Sequence, residues 1–242
     1  MKLSAEKIKE KLEVDYNIRS KRMRIYFKFD DEKEYESLKT KDAVGNIMQE
    51  WMKSWLRMKK IEFKPGPPQE SPDIFLDVKD LKKDLLEVKF FTRKPNFDIA
   101  DFYMYAESIR SKPYMLNVDY LIFQYDMSKE GVIEIQDLWC KKIWEITCSS
   151  DKRPLRVQPK RERIYTIRPQ TFSSDGKRKI YRAFTCKEHF ISALYETQRL
   201  DDDVRGKYSL PQRDFVDSYS KYYGDELVIP EWDDIKSDYE KK

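Results

Sequence analysis

Histidine is almost absent from this chain, and its absence narrows the chemistry open to the protein. His189 is the only histidine among 242 residues. Histidine-based nuclease sites, zinc clusters and Ser-His-Asp triads all need imidazole groups, so the sequence argues against each of them. Any hydrolytic chemistry therefore has to rest on carboxylates, lysine and a metal ion. We expect His189, on a predicted helix over residues 187–199, to be structural.

Cysteine and long apolar runs are also scarce. Cys140, Cys148 and Cys186 are odd in number and lack C-x-x-C spacing, which is typical of reduced thiols in a cytoplasmic protein. The first residues lack the apolar core of a signal peptide, and no apolar run reaches membrane-spanning length. The six glycines form neither a P-loop nor a methyltransferase motif, so ATP and S-adenosylmethionine are not implied. We expect a cytoplasmic protein without a membrane partner.

Charge of one sign is not in excess over the chain as a whole. The 48 lysine and arginine residues nearly balance 44 acidic residues, which leaves a net charge of +4. So small a net charge does not establish nucleic-acid binding, which depends on where the charges lie. Residues 152–182, however, are basic, poor in acids and interleaved with aromatic residues. Such a region can neutralise phosphates and read guanine edges, although a solvated basic face is the open alternative.

Alternating helix and strand patterns predict an α/β fold with a mixed central β-sheet flanked by helices. The clearest helix spans residues 42–60, where apolar residues share one face and Asp42 is a suitable N-cap. Strands at 72–78 and 85–91, joined by a polar turn, form a predicted β-hairpin. The other predicted elements are a half-buried strand at 22–29, a helix from about Asp98, a buried strand at 118–125, a short strand at 133–135 and a helix from Asp137 through Trp144.

The second strand of this hairpin, at 85–91, carries a motif with catalytic potential. Strand alternation places Glu87 and Lys89 on one face and their apolar neighbours on the other. Charged residues inside so apolar a strand are costly without partners, and a metal ion and a phosphate would supply them. Asp73, at the start of the preceding strand, provides a second carboxylate that hairpin pairing brings towards Glu87. Oxygen ligands of this kind suit Mg²⁺ or Mn²⁺.

Pro72-Asp73 and Glu87-Val88-Lys89 together resemble the motif of the PD-(D/E)xK nuclease superfamily, and most closely its type II restriction endonucleases. The resemblance implies a restriction-endonuclease-like core with DNA-recognition insertions. It implies that Asp73 and Glu87 bind Mg²⁺, which Mn²⁺ can replace, together with the backbone carbonyl of Val88. It also implies that Lys89 orients or deprotonates the attacking water. Because an ordinary lysine pKa is about 10.4, we favour positioning and charge stabilisation for Lys89.

Two further expectations follow from the resemblance. Many superfamily members carry another acidic residue on the helix before the hairpin, and Glu50 is the best match for such a metal ligand. A solvated glutamate is the open alternative for Glu50. Among restriction enzymes, the chain length and opening pattern are similar to the NlaIV type, which implies a GGNNCC target.

The candidate DNA-binding residues lie in the basic region or directly after the strand at 85–91. They are Arg93, Lys94, Arg156, Lys160, Arg161, Arg163, Lys177, Arg178 and Lys179. The Asp175-Gly176 turn predicts a basic hairpin or loop that enters a groove of the DNA. The acidic, tyrosine-rich residues 186–242 can shield basic residues, pack on the core or support a dimer, and the sequence does not choose among these roles.

The first interpretation is a type II restriction endonuclease with residues 1–242 as a single domain. Its catalytic core spans about 42–146, its basic DNA-recognition region about 150–185, and its C-terminal part 186–242. It would cleave double-stranded DNA at a short palindrome and leave 5′-phosphate ends, as a homodimer with a cognate DNA methyltransferase as genetic partner. A repair or junction-resolving nuclease of the same superfamily remains an alternative, as does a non-enzymatic DNA-binding protein with a decayed site.

Overall fold

A computed structural model describes residues 3–28, 30–31, 33–41, 43–161, 163–171, 181–205 and 212–240. The strands are β1 (Arg22–Met23), β2 (Tyr26–Phe27), β3 (Glu36–Ser37), β4 (Lys64–Pro65), β5 (Ile74–Phe75), β6 (Leu85–Phe91), β7 (Ala100–Asp101), β8 (Asp119–Met127), β9 (Ile133–Lys142), β10 (Val157–Lys160) and β11 (Arg163–Ile167). The helices are α1 (Ala5–Glu10), α2 (Val44–Met58), α3 (Phe102–Ser111), α4 (Ile143–Ile146), α5 (Lys187–Arg205), α6 (Gln212–Tyr223) and α7 (Trp232–Ile235). The chain forms two compact units, Met1–Arg93 with Asp119–Lys141 and Lys94–Val118 with Lys142–Lys242.

The first unit is built on a six-stranded mixed sheet. Its strand order is β1-β9-β8-β6-β5-β4. Strands β6 and β8 run parallel, whereas β5 pairs with β6 and β4 pairs with β5 in antiparallel fashion. Because both faces of the central strands are covered, most residues of β6 and β8 are buried. The predicted mixed sheet with flanking helices is confirmed, as are the hairpin and the buried strand near 118–125.

Helix α2 covers strand β6 through an apolar face. Met48, Met52 and Trp55 of the helix are buried in one cluster with Leu86 and Val88 of the strand. Burying a side chain of this size contributes roughly 1.5–3 kcal/mol relative to leaving it in water. The cluster therefore fixes both the position and the rotation of α2 on the sheet.

The helix predicted from Asp137 through Trp144 is wrong over most of its length. Residues 133–142 form the single strand β9, and only the four residues of α4 are helical. Buried Leu138 and Cys140 continue a two-residue alternation, which is the period of a strand. The Asp137 carboxylate accepts hydrogen bonds from Arg19 and from its own neighbour Leu138 N, so it caps no helix there.

The strand predicted at 22–29 also differs from the structure. It is divided between β1, which joins the central sheet, and β2, which pairs with β3 in a separate two-stranded sheet. Tyr26 and Phe27 of β2 are exposed instead of half-buried. The N-cap observed for α2 is Ala43, and the predicted cap Asp42 lies outside the described residues.

The second unit combines a three-stranded sheet, β10-β11-β7, with helices α3 to α7. Helix α3 begins at Phe102 with Asp101 as N-cap, whose carboxylate accepts a hydrogen bond from Met104 N. Tyr239 is buried, and its hydroxyl lies 2.7 Å from His189 Nδ1, which agrees with a structural role for that histidine. Within the described part of the chain, no helix combines the length and hydropathy needed to span a bilayer.

Candidate active site

The β5–β6 hairpin brings the two candidate carboxylates together. Ile74 pairs with Leu86, and Phe75 pairs with Leu85. Continuing this antiparallel register by one residue sets Asp73 opposite Glu87, and directly opposed residues have side chains close enough to interact. Alternation along β6 turns Leu86 into the core and Glu87 to the other face. The predicted pairing of Asp73 with Glu87 is therefore present in the structure.

Asp73 is held against the backbone of β6. Its Oδ2 accepts a hydrogen bond of 2.8 Å from Val88 N. Burial and the neighbouring Glu87 raise the pKa of Asp73, and the Val88 hydrogen bond, Lys89 and Lys53 lower it, with a net rise from 3.8 to about 6. Two charged carboxylates at close range repel each other, and a cation bound between them offsets that repulsion. A bound cation would therefore be stabilised by the two carboxylates of this site.

Glu87 is buried but has two polar partners. Lys89 Nζ lies 2.9 Å from Glu87 Oε1, and Ser71 Oγ donates a hydrogen bond of 2.9 Å to Glu87 Oε2. The side chain of Lys89 is only 16% exposed, so its charge is offset at short range and is little screened by solvent. Asp73, Glu87 and Lys89 thus form one cluster, as the motif predicts, with Lys89 outside the apolar core.

Helix α2 contributes Gln49 to this cluster and not Glu50. Gln49 Nε2 donates hydrogen bonds to Val88 O at 2.9 Å and to Asp73 Oδ2 at 3.3 Å. Glu50 is 69% exposed and pairs instead with Lys53 at 2.8 Å. The sequence predicts an apolar face on α2 formed by Val44, Ile47, Met48, Trp51 and Trp55. In the structure this face is rotated towards Met52, which is fully buried. That rotation carries Glu50 to the solvent side and turns Gln49 towards β6.

Gly66 allows the chain to approach Asp73 closely from the other side. Gly66 N donates a hydrogen bond of 2.8 Å to the backbone carbonyl of Asp73. A Cβ atom on Gly66 would overlap the carbonyl oxygen of Pro72. Only a residue without a side chain fits this approach. In the sequence, Pro65-Gly66-Pro67-Pro68 indicates only a break in the chain. No sequence pattern pointed to Ser71, Gln49 or Lys53.

The oxygen atoms of this cluster suit a hard divalent cation. Asp73, Glu87 and the carbonyl of Val88 offer carboxylate and carbonyl oxygens, the ligands that Mg²⁺ prefers. Among the described residues no group of three or more histidine, cysteine or acidic side chains is placed to hold a metal. Two carboxylates are compatible with Mg²⁺, which keeps several of its own waters. The raised pKa of Asp73 is the independent sign that a positive charge is favoured there.

A family model describes nearly the whole chain. The model of the NgoBV restriction endonuclease matches residues 2–239. The chain belongs to this restriction endonuclease family. The interpretation as a restriction enzyme is thereby confirmed, and a role without enzymatic activity loses its support.

Known proteins of this restriction endonuclease family agree with the assignment. The chain is 44% identical over 245 residues to the type II restriction enzyme NlaIV of Neisseria lactamica, with 100% of both chains covered. It is 40% identical over 168 residues to the type II restriction enzyme NgoBV of Neisseria gonorrhoeae, covering 66% of this chain and 92% of that protein. A solved NlaIV restriction endonuclease matches with a TM-score of 0.91 and 43% identity, over 100% of this chain and 98% of that one. The similarity to the NlaIV type is therefore confirmed.

The candidate DNA-binding residues of this restriction endonuclease are distributed over several places. Lys160, Arg161 and Arg163 are exposed at the turn between β10 and β11, and Lys160 Nζ lies 5.0 Å from the centre of the Tyr165 ring. Arg156 is half-buried, and its guanidinium lies 3.5 Å from Thr171 Oγ1. The structure therefore contains a basic hairpin at 157–167, earlier in the chain than the predicted one.

Of the remaining candidate DNA-binding residues, two are exposed after β6 and three lie outside the described residues. Arg93 and Lys94 are both exposed directly after β6. Lys177, Arg178 and Lys179 lie outside the described residues, as does the predicted Asp175-Gly176 turn.

Proposed function

We propose that this protein is a type II restriction endonuclease that cleaves double-stranded DNA at a specific short palindrome by Mg²⁺-dependent phosphodiester hydrolysis. The products carry 5′-phosphate and 3′-hydroxyl ends. The observation that carries the proposal is the placement of Asp73 opposite Glu87, with Lys89 paired to Glu87 on the same strand. The membership of the chain in a restriction endonuclease family supports it.

Each residue of the cluster has a distinct proposed role. Asp73, Glu87 and the carbonyl of Val88 hold the divalent cation, which supplies charge stabilisation for the phosphate undergoing attack. Lys89 orients the attacking water and stabilises the negative charge that develops on the phosphate oxygens. Its ion pair with Glu87 holds the Lys89 side chain beside the two carboxylates, which agrees with a positioning role. The water then attacks phosphorus, and the 3′-oxygen leaves.

The oligomeric state of the enzyme, its genetic partner and its location in the cell are also proposals. Cutting both strands of a palindrome calls for two symmetric active sites, so we expect a homodimer. A restriction enzyme needs a cognate DNA methyltransferase as its genetic partner, because its own genome carries the same target. A cytoplasmic location fits the odd number of cysteines and their lack of C-x-x-C spacing. DNA recognition is assigned to residues of about 150–185 and catalysis to about 42–146.

The test is digestion of unmethylated plasmid DNA with Mg²⁺, followed by sequencing of the ends. Discrete fragments with one repeated end sequence support the proposal, and GGNNCC is the first target to look for. Fragments without a shared sequence would instead indicate a repair or junction-resolving nuclease. No cleavage of any duplex with Mg²⁺ or Mn²⁺ would contradict the proposal.

Two variants test the chemistry directly. Asp73→Ala and Lys89→Ala should each reduce cleavage at least about a hundredfold while leaving a folded protein that binds DNA. Glu62→Ala is the matched control, because Glu62-Phe63-Lys64 has the same motif letters but an exposed glutamate away from the cluster. Full activity in the Asp73 variant would end the assignment of the site.

A further inference from the structure

The loop between β4 and β5 brings Ser71 to the candidate active site. The two strands pair in antiparallel fashion, and Gly66 N donates a hydrogen bond of 2.8 Å to the backbone carbonyl of Asp73. Residues 66–73 therefore form a loop that is closed at its base. Because Ser71 lies two residues before Asp73, one loop supplies a proposed metal ligand and also a hydroxyl group that contacts the other carboxylate.

The carboxylate of Glu87 is contacted at both of its oxygen atoms, from two different elements. Ser71 Oγ donates a hydrogen bond of 2.9 Å to Oε2 from the loop, and Lys89 Nζ lies 2.9 Å from Oε1 on the same strand as Glu87. The last torsion of a glutamate side chain is broad, so a carboxylate without such contacts samples many orientations. A donor at each oxygen restricts this torsion and fixes the plane of the carboxylate.

The two donors respond differently to a cation at the site. Lys89 carries a positive charge, so a cation bound to Glu87 repels it. Ser71 is neutral, and its hydroxyl occupies one of about four lone-pair positions that a carboxylate offers. The hydrogen bond from Ser71 is therefore compatible with coordination of a metal by the same carboxylate.

Ser71 is exposed, although the group that it contacts is buried. Glu87 is only 6% exposed, and Pro72, which follows Ser71, is buried as well. An exposed serine adds little to the packing of the core, and surface substitutions usually change stability only slightly. Replacing Ser71 by alanine therefore removes the hydrogen bond to Glu87 and leaves the core as it is.

We propose that Ser71 is a positioning residue, which holds the carboxylate of Glu87 in the orientation that binds the divalent cation. The inference rests on the proposed function in that the site binds such a cation. Carboxylates that ligate metals are themselves hydrogen-bonded, and loss of the partner typically lowers metal affinity about 10–100-fold. Ser71 thus acts on the metal through Glu87.

The direction of the change in metal affinity separates this role from a simple effect of charge. A hydrogen-bond donor stabilises the charged carboxylate and makes it less basic. If charge alone mattered, removing the Ser71 hydroxyl would make Glu87 a stronger ligand and tighten the binding of the metal. Positioning predicts the opposite sign, because an unrestrained carboxylate has to be ordered when the metal binds.

The test is isothermal titration of the full-length protein with Mn²⁺ in the absence of DNA. Ser71→Ala should bind Mn²⁺ about tenfold more weakly than the wild type. Ser71→Thr keeps the hydroxyl group and should retain the wild-type affinity. Ser54→Ala is the matched control, because Ser54 is an exposed serine on α2, and it should also leave the affinity unchanged.

Cleavage at increasing Mg²⁺ concentration gives a second measurement. Ser71→Ala should need about tenfold more Mg²⁺ for its half-maximal rate but reach the wild-type rate at saturation, because metal binding and not the chemical step is weakened. Asp73→Ala should not be restored by Mg²⁺, since it removes a proposed ligand.

Four results would overturn the positioning role of Ser71. They are Mn²⁺ binding by Ser71→Ala that equals or exceeds that of the wild type, a loss in Ser71→Thr as large as in Ser71→Ala, a reduced rate of Ser71→Ala at saturating Mg²⁺ with an unchanged Mg²⁺ requirement, and a large fall in its melting temperature. The second would assign the effect to the shape of the loop, and the fourth would assign Ser71 to the fold. Absence of Mn²⁺ binding in the wild type would instead contradict the proposed function, and the positioning role with it.

Discussion

The side-chain amide of Gln49 donates a hydrogen bond of 2.9 Å to the backbone carbonyl of Val88. The same nitrogen lies 3.3 Å from Asp73 Oδ2, so it contacts two of the oxygen atoms proposed as metal ligands. An N–H group cannot coordinate a cation. The amide donates to both of these oxygen atoms, so Gln49 is expected to influence the affinity for metal.

Replacing Gln49 by glutamate should tighten the binding of Mn²⁺ by roughly tenfold. The change removes a competing donor and adds a third carboxylate beside Asp73 and Glu87, and added negative charge attracts a cation. Isothermal titration with Mn²⁺ measures the effect independently of cleavage. Glu50→Gln is the control, because Glu50 is exposed and pairs with Lys53. A larger effect at Glu50 than at Gln49 would restore Glu50 as the metal residue.

The raised pKa of Asp73 predicts a specific dependence of stability on pH. Its pKa of about 6, against 3.8 ordinarily, means that the folded metal-free protein binds this proton more tightly than the unfolded chain does. The resulting stabilisation is fully present below about pH 4 and is lost as the pH rises through 6, with an upper bound of about 3 kcal/mol. Asp73→Asn should therefore be more stable than the wild type at pH 8.

Urea denaturation of wild type and Asp73→Asn at several pH values checks the direction of this pH dependence. The difference in unfolding free energy between Asp73→Asn and the wild type should shrink as the pH falls from 8 to 4. Glu62→Gln, a change at an exposed carboxylate, serves as the control for the loss of one negative charge. A constant difference for Asp73→Asn would show that its carboxyl titrates normally in the folded state.

Gly66 should be essential for cleavage because it fixes the position of Asp73. Gly66→Ala forces the Pro72 carbonyl to move, which shifts the adjoining Asp73 and should lower kcat by about a hundredfold. Gly45→Ala is the matched control, since a Cβ on Gly45 meets no atom within 4 Å. That change lies in α2 and should raise stability by up to about 1 kcal/mol. Equal activity in the two variants, measured with both proteins folded, would refute the positioning role.

The exposed turn between β10 and β11 should contact DNA phosphates. Arg161→Ala with Arg163→Ala should lower the salt slope of DNA binding by about two. Arg110→Ala serves as control, because Arg110 is held in an ion pair with Glu107 at 2.5 Å. Anisotropy titrations between low and physiological salt measure the slopes. A slope as steep as that of the wild type would show that this turn is a solvated basic face.

The strand that carries Glu87 and Lys89 was predictable because its pattern is local. Strand alternation in residues 85–91 separates Glu87 and Lys89 from their apolar neighbours without any knowledge of the rest of the fold. The contact of Gln49 with the site was not predictable. It depends on the rotation of α2, which follows from the burial of Met52 in the packed structure. A rotation of α2 by less than one turn places Gln49, and not Glu50, in contact with Asp73 and Val88.

The amino-acid sequence by itself determined the residues of the candidate site and the strand that carries two of them. With one histidine in the chain, carboxylates and a lysine were the remaining choice, and a two-residue period placed them on one face. Only the tertiary structure decided which atoms surround them: Gln49 on the Val88 carbonyl, Ser71 on Glu87 and Gly66 against Pro72. Those contacts join residues far apart in the chain, and their positions follow from how helices and strands pack, which no local pattern encodes.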